Sequence, residues 1–284
     1  MRGWWRELAG LVLPVDCAGC GALRVLLCAG CRAALSGAGA GQVRPYPCPA
    51  GLPVVAAAAV YEGAVRALLL AHKERGALPL AGALGGALAA AVVAGGALGA
   101  RGAPAWPAEP GAPAEPGVPA GPAVPAGAGS AGAGSGRADV VLVPVPSAPR
   151  QVRARGHDPA RRIALAAAGR LRRAGVPARV APVLRLRRAV ADQAGLGARQ
   201  RRENLAGALV VRGDGARLTA GARIVLVDDV ITTGATLAEA ARAVRAAGLA
   251  RGSDGRSGGV LRAAVVAAPA DSFGAANSVR AKNQ

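Results

Sequence analysis

Residues 224–236 read IVLVDDVITTGAT. Four apolar residues, Ile224 to Val227, lead straight into the acid pair Asp228 and Asp229. A short apolar run rich in β-branched residues predicts a buried strand. Thr232, Thr233, Gly234, Ala235 and Thr236 then form a hydroxyl and glycine turn, and Leu237–Ala247 has helical spacing up to Gly248. Backbone N–H groups and hydroxyls at a helix N-terminus receive phosphate. Carboxylates a few ångström away suit the vicinal hydroxyls of a sugar, so one small molecule, a ribose phosphate, answers both features. Three other readings compete. A nucleoside-triphosphatase strand also ends in acids, but it needs a Gly-Lys pair that occurs nowhere in the chain. A phosphoacceptor aspartate does not need the loop. A plain strand and turn, with Thr233 or Thr236 capping the helix, stays open.

The same alternation extends outward. Asp139–Val145 (DVVLVPV) predicts a buried strand ended by Pro144 and Pro146. Pro159–Arg173 predicts a helix, with Asp158 as N-cap and proline at the first helical position. Val180–Leu184, Ala222–Val227 and Val260–Ala268 predict further strands. Strands alternating with helices predict an α/β fold, a mostly parallel sheet flanked by helices. Ligands in such sheets sit outside the carboxyl ends of the strands.

Composition fixes the material of the core. Hydrophobic residues make up 52% of the 284 residues but aromatics only 2%, so Ala, Val and Leu must fill it. The formal charge is 35 − 16 = +19, and Lys73 and Lys282 are the only lysines. Arginine in excess favours anionic partners, although a GC-rich codon bias gives the same composition. Residues 76–100 carry no charge, yet seven of them are glycine and Pro79 lies near the start. That predicts a buried helix region with no membrane insertion. MRGWWRELAGLVLPVDC at the N-terminus mimics a secretion signal, but Glu7 interrupts its apolar run and Asp16 spoils the cleavage site. A cytoplasmic location is expected.

Residues 102–137 break the domain. Prolines at 104, 107, 110, 113, 116, 119, 122 and 125 recur every third position. Polyproline II has about three residues per turn, which places the rings along one edge of an extended, semi-rigid spacer. A Gly/Ser stretch follows, and disorder is expected across the insert. Its GxGxxG match at Gly127, Gly129 and Gly132 precedes no helix and carries no weight.

Cys17-x2-Cys20 and Cys28-x2-Cys31 are two CxxC pairs. Each presents two thiolates from one tight turn, and together they complete a tetrahedral four-thiolate zinc site. Disulfides would need an oxidising compartment, and no βαβ pattern marks either pair as a redox motif. Cys48 has no CxxC partner. The expected division is a zinc-binding module at 1–52, a main domain at 53–270 interrupted by 102–137, and a disordered tail at 271–284.

The stretch 224–236 resembles the phosphoribosyl-pyrophosphate signature of type I phosphoribosyltransferases. The resemblance implies that Asp228 and Asp229 bind the ribose hydroxyls and that Thr232 to Thr236 hold the 5′-phosphate. In that family Mg²⁺ chiefly bridges pyrophosphate and ribose oxygens. The chain is also similar to the ComF branch, which joins a zinc-ribbon-like four-cysteine module to this domain. Tyr61–Gly76 (YEGAVRALLLAHKERG) is similar to that branch's segment before the first core helix. Val143–Ala160 (VPVPSAPRQVRARGHDPA) looks like its pyrophosphate loop region, and Asp192–Leu209 (DQAGLGARQRRENLAGAL) like its mobile loop. Two departures stand out: His157-Asp158-Pro159 replaces the common Phe-Asn-Gln, and Cys48-Pro-Ala-Gly replaces a further CxxC.

Two functions fit. The first is an enzyme of nucleobase salvage that moves a phosphoribosyl group to a nitrogen nucleophile, with Ser147, Arg150, Arg153, Arg155, Arg199, Arg201 and Arg202 as candidates for holding the pyrophosphate. No general acid or base stands out, because His72 and His157 are the only histidines. The second is a binding protein. ComF relatives are associated with natural competence, which implies handling of single-stranded DNA after uptake, with a competence helicase as partner. Residues 148–202 hold fifteen arginines against Asp158 and Asp192, a local charge of 15 − 2 = +13. Such a stripe binds phosphate backbones without reading sequence.

Overall fold

The computed structural model describes residues 16–98, 139–188, 198–250 and 261–273. The insert at 102–137, most of the expected tail and the start of the chain lie outside these residues. In chain order, a cysteine knuckle leads to helix α1 (Ala29–Ala34) and strands β1 (Gly41–Val43) and β2 (Val54–Val60). Helices α2 (Gly63–Glu74) and α3 (Ala81–Ala94) follow, then β3 (Val140–Pro144), α4 (Pro149–Arg155), α5 (Pro159–Arg173) and β4 (Ala178–Val180). Next come β5 (Leu184–Leu186), α6 (Ala198–Leu205), β6 (Leu209–Val211), α7 (Gly215–Thr219), β7 (Arg223–Val230), α8 (Ala235–Ala246) and β8 (Arg262–Ala268).

The main sheet has the order β1-β2-β8-β7-β3-β4. All pairs are parallel except β1 with β2. Its central strands read as continuous apolar runs because both faces are covered. The pleat sorts them by alternate residues. Val140, Leu142, Val225, Val227, Ala264 and Val266 enter one core, shared with α2, α3 and α5. Val141, Val143, Ile224, Leu226, Ala263 and Val265 enter the other, shared with α8 and the antiparallel ribbon β5–β6. With few aromatics, the helices close on small residues instead. A Cβ added at Gly85 of α3 would lie 2.4 Å from the Ala166 Cβ of α5.

Asp158 caps α5 as expected, accepting the Arg161 N–H at 3.1 Å. The strand expected at Val180–Leu184 is instead two. Pro182 has no N–H to give a ladder, so the chain leaves the main sheet after Val180 and opens the ribbon at Leu184. The strand expected at Ala222–Val227 runs three residues further, through both acids to Val230. Among the described residues no helix is long and apolar enough to cross a membrane.

Candidate functional site

Strand β3 stops against β7 at the pair Pro144↔Val227, whereas β7 continues along β8 to Val230↔Ala267. Asp228 and Asp229 therefore overhang at the carboxyl end of the sheet, beyond the reach of β3. Asp229 is buried, 6% exposed, and Asp228 half-buried. The Asp228 Oδ1 accepts the Asp229 N–H at 2.8 Å, and the Asp229 Oδ1 accepts the Val230 N–H at 2.9 Å. The second Asp229 oxygen, Oδ2, receives the Lys73 ammonium at 2.8 Å.

Burial and this neighbourhood drive the two acids apart. Burial, followed by the adjacent Asp229 charge, pushes Asp228 well above the usual carboxylate range. Burial pushes Asp229 up as well, but Lys73 outweighs it and holds Asp229 below that range. Burial acts to lower the Lys73 ammonium, yet Asp229 keeps it above its ordinary value. The pair thus favours one negative charge, matched by one lysine.

Lys73 comes from the last turn of α2, and the residues beside it are pinned. Glu74 takes Arg155 in a fork of 2.8 and 2.7 Å. The His157 Nε2 lies 3.1 Å from the His72 carbonyl oxygen, and the two imidazoles meet edge to face with centroids 5.4 Å apart. Burial holds the His72 imidazole below its ordinary value. Both histidines thus belong to a clasp between α2 and the segment after α4. Arg155, an anion candidate in the sequence, is engaged by Glu74.

After β7 the chain turns through Thr232 to Gly234 into α8. Gly234 is the N-cap, at φ 72°, and no side chain caps the helix. The Thr233 hydroxyl lies 3.4 Å from the Ala235 N–H, and Thr236 supplies no cap. Of the capping reading left open by the sequence, only the contact from the Thr233 hydroxyl to the Ala235 N–H is present. A Cβ at Gly234 would meet Leu52, Pro45 and Pro49 at 3.1–3.3 Å, so residues 45–52 form the wall behind this turn. The same segment is tied down by Arg245, which donates to the Gly51 carbonyl at 2.6 Å. Of the other candidates, Ser147 is half-buried and Arg150 and Arg153 are exposed around α4. Arg199, Arg201 and Arg202 fall on α6, but their side chains lie outside the described residues.

The four cysteines also meet. The sulfurs of Cys17, Cys20, Cys28 and Cys31 all lie within 4.8 Å of one another. Four thiolates around a tetrahedral ion with bonds of about 2.3 Å sit about 3.8 Å apart, so the set fits a metal. The Cys28 N–H donates to Cys17 Sγ at 3.3 Å and lowers that thiol to about 6, in spite of its burial. A Cβ at Gly19 would lie 2.7 Å from Cys31 Sγ and 3.3 Å from Leu68 of α2, so only glycine fits between the knuckle and that helix.

Comparison with protein families bears on this geometry. Residues 179–273 match the model of the phosphoribosyl transferase domain. The matched stretch starts at β4 and contains the whole β7–turn–α8 unit, so the overhanging acids and the turn after them lie within the part of the chain that is similar to that domain. It leaves out α2 and α4, which bring Lys73 and Arg155. A search of curated proteins found no match.

Sequence reasoning missed Lys73 and Glu239. Lys73 lies 156 residues from Asp229, too far for any local pattern. A signal was present nonetheless, because a chain that otherwise writes its basic residues as arginine keeps lysine there. Glu239 of α8 accepts the Leu209 N–H at 3.0 Å and a fork from Arg242, which fastens α8 to the ribbon.

Proposed function

We propose that the chain binds phosphoribosyl pyrophosphate or a related ribose phosphate at the carboxyl end of its main sheet. The observation that carries this reading is one juxtaposition: an acid pair overhanging β7, followed directly by a hydroxyl and glycine turn, Thr232–Thr236, into the N-terminus of α8, inside the matched stretch. Asp228 and Asp229 hold the ribose hydroxyls, and the turn holds the 5′-phosphate. Mg²⁺ arrives with the pyrophosphate of the donor. Structural zinc occupies the four-cysteine knuckle, consistent with thiolates at tetrahedral spacing.

The biological role that goes with this reading is ComF-like: competence-type handling of single-stranded DNA in the cytoplasm, beside a helicase partner. Exposed arginines support it, with Arg150, Arg153, Arg161, Arg162, Arg172, Arg173, Arg185, Arg187 and Arg188 all open to solvent. A second reading is an active phosphoribosyltransferase of nucleobase salvage. It is supported by Arg150 and Arg153 on α4, which follows the strand next to the acids.

Isothermal titration with phosphoribosyl pyrophosphate and Mg²⁺ tests the binding. Asp229→Asn removes a charge-assisted partner of the sugar and lowers affinity about ten- to hundredfold. Thr233→Val weakens ribose 5-phosphate but leaves ribose alone unaffected. Wild type that ignores the donor at millimolar concentration would overturn the reading.

A further inference from the structure

We propose that Lys73 is the built-in counter-cation of the acid pair, so that the site takes the vicinal diol of a ribose 5-phosphate with no divalent cation. This rests on the ribose-phosphate reading above and adds the residue that decides its metal requirement.

Both oxygens of Asp229 are engaged, Oδ1 by the Val230 N–H and Oδ2 by the Lys73 ammonium. A magnesium ion demands near-octahedral oxygen ligands at about 2.0–2.1 Å. At Asp229 it would have to displace the ammonium at 2.8 Å or sit against its charge. The lysine is not a stray surface side chain. His72 is held through its carbonyl by His157, and Glu74 by the fork to Arg155, so the turn carrying Lys73 is pinned on both sides.

Lys73 nevertheless stays reachable. Its side chain is 35% exposed, and of its three N–H donors Asp229 takes one. Asp228 is half-buried and uses Oδ1 on a backbone N–H. One ribose hydroxyl can then accept from the ammonium while donating to the remaining lone pair of Asp229 Oδ2, and its neighbour donates to the other Asp228 oxygen. Lysine suits this place better than arginine, whose planar fork would spread over both oxygens of one carboxylate. That accounts for a lysine in a chain whose other basic residues, Lys282 aside, are arginine.

The experiment is calorimetric titration of the full-length protein with ribose 5-phosphate, in EDTA and in Mg²⁺. Wild type is expected to bind with affinities within about twofold of each other in the two buffers. Lys73→Met is expected to lose about tenfold or more in EDTA and to regain part of it in Mg²⁺. A wild type that binds only with Mg²⁺ overturns the lysine's role and leaves the ribose-phosphate reading standing. A wild type that binds in neither buffer overturns both. A folded Lys73→Met that binds like wild type in EDTA also overturns the inference. Should that variant lose its cooperative thermal transition, Lys73→Gln, uncharged but still able to hydrogen-bond Asp229, takes its place in the same comparison with the same outcomes.

Discussion

At the scale of single residues, the acid pair shows how far a motif can be read without its fold. Two adjacent acids at the carboxyl end of a strand are legible in the sequence, and the structure puts both on the overhanging end of β7. Their charges are not legible, because they depend on burial and on Lys73, a helix away. This difference yields a pH prediction. Burial and Asp229 hold Asp228 above the usual carboxylate range, so the folded state keeps a proton there that the unfolded chain has already lost. Stability linked to Asp228 therefore falls as pH rises from that range through the raised value. Asp229 behaves oppositely: its stabilisation is present above the ordinary carboxylate value and is lost as pH falls through its depressed one. Asp228→Asn keeps an oxygen for the Asp229 N–H and cannot ionise. Its melting temperature should exceed that of wild type at neutral pH, with a gap that closes towards about pH 4, near the ordinary value. Ribose 5-phosphate affinity should fall about tenfold in the same variant. A gap independent of pH would show that Asp228 is not held protonated.

Among the elements, the sequence marks the cysteine knuckle as a module of its own, and the spacing of the cysteines does predict their meeting. Its attachments were hidden, because they run between segments far apart in the chain. The knuckle rests through Gly19 on Leu68 of α2, the helix whose last turn carries Lys73. Strand β1 joins the edge of the main sheet, and the Arg44 N–H donates to the Ser272 carbonyl at 2.8 Å. Residues 45–52 then back the turn at Gly234. Metal loss should be felt as far as the 232–236 turn. Wild type purified without chelator should carry about one zinc per chain, and less than about 0.2 with intact thiols would rule out a structural zinc. Cys20→Ser should release it. Hydrogen exchange should then quicken at residues 44–52 and at the 232–236 turn as well as around the cysteines. Faster exchange confined to residues 16–35 would show that the knuckle is energetically separate.

For the molecule as a whole, the sequence predicts a sheet interrupted by a long insert, and the described residues show how the sheet closes without it. Ala97 precedes the insert and Asp139 follows it. The Arg223 guanidinium donates to the Ala97 carbonyl at 3.2 Å, and the Arg223 N–H donates to the Asp139 carbonyl at 2.8 Å. One residue at the start of β7 therefore holds both ends, no more than a side chain apart. The continuous apolar run DVVLVPV revealed the strand that follows, but no local pattern could reveal Arg223 as the tie. Deleting residues 103–136 leaves six residues, 99–102 and 137–138, between Leu98 and Asp139. At about 3.3–3.6 Å each they reach roughly 20 Å, ample for the gap. The shorter loop also loses less entropy on closure. With the (3/2)RT ln n dependence, shrinking 40 linking residues to six stabilises the fold by about 1–2 kcal/mol. For a chain of this size that raises the melting temperature by several degrees, on the order of 2–4 °C per kcal/mol. The deletion variant should therefore melt cooperatively, slightly above wild type, and bind ribose 5-phosphate unchanged. A lower melting temperature would mean that the insert itself makes contacts that hold the domain together.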